Sequence, residues 1–404
     1  MDQSGFQEFK KRMENNELKV VFQMVVGRGG SLLMHSLLDT HPSVLTYPGI
    51  LNFYTDIWPA LQKSPGKEID CISEKMEFWI EEMLPYNINR YLGKENNEEI
   101  KIQCREIATN VSILLNKDFT NRKSVFISLQ YAIADYFGFD TASLKVIYNH
   151  EHTTDPTPAL AGAVISDWPD AKFLCMLRDP RSNYIALHNW EQKRIEQQLH
   201  ADESHRYIPG LYADLCYYWY SKLIGTAIAF PDNFLLVRLE DLQKNRVTML
   251  ENLCHLLGIH YTDTMLQTTF LGKTWHGDNF SPKGSGIRNS ADPKKWQSTL
   301  TELQKSVFEI VLKKELKILD YPFLYKGKFL RKIFSWLLFP FWFYDDWKRI
   351  FEKDYYTYMS SKGFGNIKSF LVVIKWVILA KARLFLFIFR KTGIKGREKL
   401  HFLS

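Results

Sequence analysis

The sequence predicts an α/β fold in which a central, mostly parallel sheet is flanked by helices. Two segments carry this prediction. An apolar, β-branched run at residues 20–26 ends in a glycine-rich loop and continues into a helix-compatible pattern of leucines. A second apolar run ends at Leu177, and Pro180 then begins a new helical segment. Strand, tight turn and helix in this order indicate parallel strands joined by crossover helices.

The loop at residues 27–31, which reads Gly-Arg-Gly-Gly-Ser, is the first candidate binding site. Such a loop between a strand and a helix directs backbone N–H groups and the positive end of the helix at an anion. Arg28 adds a charge, Ser31 adds a hydroxyl donor, and the small residues Gly29 and Gly30 allow close approach. A turn with a purely structural role is the alternative. The loop lacks the Gly-Lys-Ser/Thr of a Walker A motif, which disfavours a P-loop kinase.

Arg178 is the second candidate anion ligand. It follows the second apolar run and precedes Asp179 and Pro180. Ligands of open α/β sheets bind at the carboxyl ends of strands, which is where this arginine is expected to lie. A surface turn that pairs Arg178 with Asp179 is the alternative. The presence of the Arg28 loop in the same chain favours the interpretation of Arg178 as an anion ligand.

Four segments together resemble the sulfotransferase family that uses 3′-phosphoadenosine 5′-phosphosulfate (PAPS). They occur in the family's order between residues 20 and 322. The first segment is the loop at 28–33, with His41-Pro42 after its helix, and the second is the strand and turn at 172–181. The third is the strand and Glu-Asp-Leu turn at 235–242, with the helix end at 253–258. The fourth is the region 275–296, which closes with Leu-Asp-Tyr-Pro at 319–322.

The resemblance implies a P-loop-type three-layer sandwich with a helical C-terminal extension. It also implies transfer of a sulfuryl group from PAPS to an acceptor hydroxyl by in-line displacement, with no metal required. The implied 5′-phosphosulfate ligands are Arg28, Gly29, Gly30, Ser31 and Leu32, and Arg178 is the implied ligand of the 3′-phosphate. A later loop rich in glycine and serine adds Lys283, Gly284 and Arg288 as 3′-phosphate candidates. A solvent loop without a ligand is the alternative for that segment.

Two positions of the nucleotide-binding segments depart from the family pattern. Leu32 stands where a second hydroxyl is usual, and Ala186 stands where a serine is common. Each missing hydroxyl weakens donor binding by about 1 kcal/mol if nothing replaces it. These departures keep a second function open, in which the chain is a catalytically inactive nucleotide- or anion-binding membrane adaptor on the same fold.

His150 is the candidate catalytic base. An apolar alternating run at residues 144–148 ends in polar residues, which places His150 at a strand end facing the predicted cleft. Histidine is the usual proton acceptor near neutral pH. In the cytosolic branch of the family, a histidine at the end of a comparable strand is the base. Residues 45–49 contain none of the carboxylates that other branches use there.

Other histidines are assigned lesser roles. His152 is the reserve base because alternate residues of a strand share a face. His35 is interpreted as a packing residue on the helix after the loop. His150 and His152 also suggest a metal pair, but no further ligands occur at suitable spacing, so no metal is predicted.

The chain is predicted to divide into a catalytic domain at 1–330 and a tail at 331–404. A helix-rich insert at 50–143 is predicted to form the acceptor side of the catalytic domain, and a purely structural role is the alternative. The tail contains 15 Lys and Arg against 5 Asp and Glu, interspersed with aromatic and aliphatic residues. This composition predicts a helix lying on an anionic membrane surface, and three cations within 370–389 argue against a spanning helix. Packing on the catalytic body or a dimer contact is the alternative.

The remaining predictions concern location and partners. The five scattered cysteines and the polar amino terminus predict a cytoplasmic protein. Lumenal animal members of the family that the chain resembles usually carry an amino-terminal anchor, so the resemblance implies a bacterial protein. The basic tail predicts a peripheral location on the inner face of the membrane. The acceptor is predicted to be a carbohydrate or a glycolipid. Nucleic acid is disfavoured because the cations of the tail are mixed with large aliphatic residues.

Overall fold

The computed structural model describes residues 2–78, 80, 91–152, 157–196, 209–277, 294–325, 366–389 and 400–403. The chain forms two compact units. The first unit consists of Met1–Leu177, Thr226–Ser290 and Lys399–Ser404, and the second consists of Arg178–Gly225 and Ala291–Glu398. The predicted domain boundary at residue 330 lies outside the described residues.

Strands and helices alternate through the described chain. The strands are β1 Lys19–Val25, β2 Val44–Thr46, β3 Tyr91–Leu92, β4 Glu98–Glu99, β5 Val146–His150, β6 Lys172–Leu177, β7 Phe234–Arg238, β8 Thr269–Phe270 and β9 Lys273–Thr274. The helices are α1 Gln3–Glu14, α2 Ser31–Leu38, α3 Trp58–Lys63, α4 Glu68–Glu77, α5 Cys104–Leu114, α6 Arg122–Tyr136, α7 Pro158–Asp167, α8 Pro180–Glu196, α9 Pro209–Ala229, α10 Leu239–Lys244, α11 Arg246–Leu257, α12 Lys295–Thr299, α13 Glu302–Val311, α14 Lys313–Ile318 and α15 Asn366–Phe389. A π-helical turn at Phe53–Ile57 precedes α3.

The centre of the first unit is a five-stranded sheet in the order β2-β5-β1-β6-β7. Every neighbouring pair in this sheet is parallel. The sheet confirms the predicted mostly parallel arrangement. The short pairs β3-β4 and β8-β9 are antiparallel and lie apart from it.

Helices cover both faces of this sheet, which confirms the three-layer sandwich. Successive residues of a strand point to opposite faces. On β1, Val21 belongs to the buried cluster that includes Met34 of α2 and Leu250 of α11. The next residue, Phe22, packs instead against Phe126 of α6, with ring centroids 5.7 Å apart.

The order of the strands places a ligand crevice at the carboxyl end of β1. After β1 the chain adds β2 and β5 on one side of that strand, and then β6 and β7 on the other side. The connections on the two sides of β1 therefore run towards opposite edges of the sheet. Open α/β sheets bind their ligands at the point where the strand order reverses in this way. The loop at residues 27–31 starts there.

The second unit, described by itself, contains a buried ion-pair network near its start. Arg181 is fully buried and contacts the Asp179 carboxylate at 2.7 Å and the Glu309 carboxylate at 3.4 Å. Its guanidinium lies 3.8 Å from the centroid of the Trp296 ring. These contacts join the beginning of α8 to α12 and α13.

Helix α15 and residues 400–403 are the described parts of the C-terminal extension, which the sequence predicts to be helical. Residues 400–403 are extended beside β7 and exchange backbone hydrogen bonds with Leu236. Helix α15 packs against α13 in the second unit. Within the described part of the chain, no helix has both the length and the apolar content needed to cross a bilayer.

Candidate functional site

The loop at residues 27–31 forms the turn from β1 into α2, and its backbone requires small residues. Gly30 has a φ of 104° and Arg28 a φ of 61°, both in the left-handed region. A Cβ atom at Gly29 would lie 2.8 Å from the carbonyl oxygens of Val26 and Met176. Glycine is therefore needed at position 29, because the loop folds closely over the end of β6.

The first turn of α2 is arranged to receive an anion. Gly30 caps this helix without a side-chain hydrogen bond, and the Met34 N–H donates to the Gly30 carbonyl at 3.1 Å. The N–H groups of Ser31, Leu32 and Leu33 come before that first helical bond and point out of the helix end. The partial positive charge of the helix dipole is concentrated at the same place. The loop therefore supplies backbone donors, the Ser31 hydroxyl and the Arg28 guanidinium within one short segment.

His150 is the last residue of β5, as predicted, and lies opposite Gln23 of the neighbouring β1. It does not open to solvent in the way the sequence suggests, because only 2% of it is exposed. The ring of His35 covers it, and the Nδ1 atoms of the two imidazoles are 3.0 Å apart. The strand that carries the candidate base is thus in direct contact with the helix that follows the loop.

The three histidines around this strand end are neutral at pH 7. Burial lowers the pKa of His150 well below its usual value, and the neighbouring His35 and His152 lower it further. Burial lowers the pKa of His35 to about 3, although the Tyr47 backbone carbonyl acts in the opposite direction. Burial also lowers the pKa of His152 to about 4. A neutral imidazole is the form that can accept a proton.

Each ring of the pair has one nitrogen without a partner. Nε2 of His150 and Nε2 of His35 both lack a hydrogen-bond partner among the residues that the structure describes. Buried polar atoms are rarely left without a partner, and such an atom at the carboxyl edge of an α/β sheet is a candidate contact for a ligand.

Glu151 fixes the end of β5 in place. Its carboxylate accepts hydrogen bonds from the Thr55 backbone N–H at 2.8 Å and from the Thr55 hydroxyl at 2.7 Å. The Asn149 amide donates to the same carboxylate at 3.2 Å. Burial raises the pKa of Glu151 to about 7, and the hydrogen bonds from Thr55 and from the Tyr54 backbone N–H partly oppose this rise. The carboxylate therefore ties β5 to the π-helical turn and leaves His150 in a fixed position.

Arg178 directly follows β6 and is the first residue of the second unit. The Tyr220 hydroxyl donates to its backbone carbonyl at 2.5 Å. The neighbouring Asp179 pairs with Arg181. Contact of Arg178 with a 3′-phosphate stays a prediction. Lys283, Gly284 and Arg288, the other predicted ligands of that phosphate, lie outside the described residues.

The sequence prediction for His35 was incomplete. It assigns this residue to packing, whereas the structure places its ring in hydrogen-bond contact with the candidate base. His35 follows Ser31 by four residues, which is about one helical turn, so both lie on the same side of α2. That spacing was visible in the sequence, but the pairing of β1 with β5 was needed to bring His150 to it.

Among the residues described, no group of three or more His, Cys, Asp or Glu side chains is arranged to hold a metal ion.

Comparison with known proteins gives one family match. Residues 21–263 match the model of the sulfotransferase family, a range that includes the loop, His35 and His150. No curated protein sequence matches the chain. A sulfotransferase domain from the Synechococcus PCC 7002 olefin synthase is 15% identical over 70% of this chain and 89% of that chain, with a TM-score of 0.46. A sulfotransferase domain from the curacin biosynthetic pathway is 15% identical over 76% of this chain and 98% of that chain, with a TM-score of 0.48.

Proposed function

Because the chain belongs to the sulfotransferase family, we propose that it transfers a sulfuryl group from PAPS to a hydroxyl group of an acceptor. The observation that carries this proposal is the contact between α2, which begins at the anion-binding loop, and His150. A donor phosphate at the loop and a base within the same unit are the two requirements of the reaction.

The residues of the first unit have distinct tasks in this reaction. Nε2 of His150 takes the proton of the acceptor hydroxyl as the acceptor oxygen bonds to sulfur. The bond between sulfur and the 5′-phosphate oxygen breaks, which releases adenosine 3′,5′-bisphosphate. Charge grows on that 5′-phosphate oxygen, and the N–H groups of the loop with Arg28 stabilise it. Positioning and electrostatics are sufficient for this step.

The acceptor partner is proposed to be presented at an anionic membrane surface. Support comes from α15, on which Leu371, Ile378 and Leu386 are 53% to 64% exposed. Lys368 and Lys375 are exposed on the same helix. Apolar side chains interspersed with cations suit a helix that lies in an anionic lipid interface. A carbohydrate or glycolipid acceptor remains a prediction from the sequence.

One assay separates the enzyme from the inactive adaptor. The full chain is incubated with PAPS and a mixed pool of glycans and glycolipids, and adenosine 3′,5′-bisphosphate is measured by chromatography. Release that requires both the chain and the acceptor pool supports the enzyme. Binding of adenosine 3′,5′-bisphosphate without any release from PAPS, in every acceptor pool, would identify an adaptor. Absence of both binding and release would contradict both functions.

A further inference from the structure

Residues 400–403 extend the central sheet past β7. Strand β7 lies at one end of the strand order, so its side that faces away from β6 is a sheet edge. The Leu236 N–H donates to the His401 carbonyl at 3.0 Å, and the Leu403 N–H donates to the Leu236 carbonyl at 2.9 Å. Phe402 is thereby paired in parallel with Leu236. Addition of a short strand to a sheet edge is also the way in which many extended peptides bind to folded domains.

Two leucines fix this segment on the first unit. Leu400 is 8% exposed and Leu403 is 6% exposed. Leu403 belongs to the buried cluster that also contains Leu235 and Val237 of β7. The side chain of His401, which lies between the two leucines in the sequence, is 60% exposed. The first and last residues of Leu-His-Phe-Leu are therefore the apolar contacts of the segment.

The anion-binding loop rests on the same buried cluster. Leu239, which directly follows β7, and Met176 of β6 are both members of it. A Cβ atom at Gly30 would lie 3.3 Å from a methyl carbon of Leu239 and 3.6 Å from the methyl carbon of Met176. The backbone of the loop is therefore packed closely against the carboxyl end of β7, three residues beyond the position where the added segment pairs.

We propose that residues 400–403 are a strap whose seating on β7 orders the anion-binding loop and so raises its affinity for the donor nucleotide. When the strap is seated, Leu403 completes the cluster on which Gly30 rests. When it is released, the cluster loses a buried leucine and Leu239 loses support. The loop then has more freedom, which phosphate binding must remove. This inference rests on the proposed function, in which the loop holds the 5′-phosphosulfate, and it adds a means of regulating that site from the tail.

The strap can open while the sheet stays folded. The backbone hydrogen bonds described for it go to one residue of β7, Leu236. On its other side, β7 pairs with β6 along its whole length, from Phe234 to Arg238. Elements held by few contacts open locally at a lower free energy than the core of the sheet. Release of the strap therefore changes the surroundings of the loop without loss of β7.

Hydrogen exchange of the full chain, measured without nucleotide, tests the link between strap and loop. Leu403→Ser removes a buried apolar contact, and His401→Ser changes an exposed side chain of the same segment as the matched control. We expect exchange at residues 27–38 to become at least about 5-fold faster in Leu403→Ser and to stay unchanged in His401→Ser. Helix α6 packs on the opposite face of the sheet, so its exchange should stay the same in both variants.

The affinity for adenosine 3′,5′-bisphosphate tests the consequence for the site. We expect isothermal titration calorimetry to show a loss of about 5- to 10-fold in Leu403→Ser and none in His401→Ser, because a coupling between two sites usually changes affinity by at least this factor. Leu400→Ser removes the other buried leucine and should act in the same direction, which keeps the test decisive if Leu403→Ser does not fold.

The outcomes separate the strap from the proposed function. Unchanged exchange at residues 27–38 in both leucine variants would overturn the strap. An equal increase of exchange in α6 would also overturn it, because that result shows a general loss of stability. If the unchanged chain and both leucine variants bind the nucleotide equally well, the strap is wrong and the proposed function stands. If the loop exchanges faster in Leu403→Ser but the unchanged chain never binds the nucleotide, the link between strap and loop is supported and the proposed function is contradicted.

Discussion

Arg28 adopts a backbone conformation that disfavours its own side chain. Its φ of 61° lies in the left-handed region, where a residue with a Cβ costs about 1 kcal/mol relative to glycine. Glycine occupies the next two positions, so a third glycine would fit the turn and relieve this cost. Because glycine would suit this backbone conformation better, the charge of the side chain is the feature that explains an arginine at this position.

This reasoning predicts that Arg28→Gly separates binding from folding. The substitution relieves the positive φ but removes the cation, so stability should be unchanged or slightly higher. The affinity for adenosine 3′,5′-bisphosphate should fall about 10- to 100-fold, the loss expected for one charge-assisted phosphate contact. Isothermal titration calorimetry measures the affinity and thermal unfolding measures the stability.

Lys117→Gly is the matched control. Lys117 is an exposed cation with a φ of 65° in the turn that follows α5. Its replacement should relieve the same kind of strain without any effect on affinity. If both variants bind adenosine 3′,5′-bisphosphate as tightly as the unchanged chain, the assignment of Arg28 to the phosphate loop is wrong.

The buried histidines predict a loss of stability in acid. The pKa of His35 is about 3 when folded and 6.5 when unfolded, so between these values the unfolded chain binds a proton that the folded chain excludes. His150 and His152 act in the same direction. Glu151 opposes them, because its folded pKa of about 7 lies above its unfolded value of 4.5. The contribution of the histidines to the free energy of unfolding is complete above pH 6.5 and is lost as the pH falls.

His35→Gln should therefore flatten the pH dependence. Without His35, the unfolded chain binds one proton fewer in this pH range. The slope of the unfolding free energy against pH therefore falls by about 1 kcal/mol per pH unit between pH 6 and pH 4.5. Urea unfolding at several pH values measures this slope, with His255→Asn as a surface control. Parallel curves for His35→Gln and the unchanged chain would show that His35 is not buried in the neutral form.

At the scale of elements, the strands were predictable where apolar runs end in turn-forming residues. The run at 20–26 ends in the glycine loop, and the run at 172–177 ends before Pro180, so both strand ends were readable. The contact of His35 with His150 could not be predicted from the sequence, because it depends on the pairing of β1 with β5. The burial of Arg181 between Asp179 and Glu309 likewise depends on the packing of α13 against α8.

Helix α15 predicts binding to anionic vesicles. The buried residues of this helix are Val377, Ala380, Lys381 and Leu384, whereas Leu371, Ile378 and Leu386 are exposed. Replacing Leu371, Ile378 and Leu386 by serine should reduce sedimentation with phosphatidylserine-containing vesicles at least about 10-fold, because each buried leucine or isoleucine contributes about 1.5 kcal/mol or more. Phosphatidylcholine vesicles should bind both forms weakly.

The matched control replaces exposed apolar residues of the first unit, Ile113 and Leu256, by serine. That variant should sediment with anionic vesicles like the unchanged chain. If the α15 variant still sediments equally well, or if the unchanged chain does not sediment at all, the membrane-surface proposal for α15 is contradicted.

At the scale of the whole molecule, the sequence predicts the class of fold. A parallel sheet between helices follows from repeated strand-turn-helix segments, and the five strands confirm it. The two compact units are each built from segments distant in the chain, such as 1–177 with 226–290. Such a division arises from contacts between segments far apart in sequence, so it could not be predicted from local patterns, and the boundary between a catalytic domain and a tail stays a prediction.

The most direct test of the central claim is turnover of PAPS by the unchanged chain and by His150→Ala, with the same acceptor pool. We expect the unchanged chain to release adenosine 3′,5′-bisphosphate in the presence of acceptor. His150→Ala should bind that nucleotide with equal affinity but release it at least about 100-fold more slowly, the loss typical of a missing general base. Release by His150→Ala at the rate of the unchanged chain would show that His150 is not the base. Failure of the unchanged chain to bind the nucleotide would contradict sulfuryl transfer at this loop.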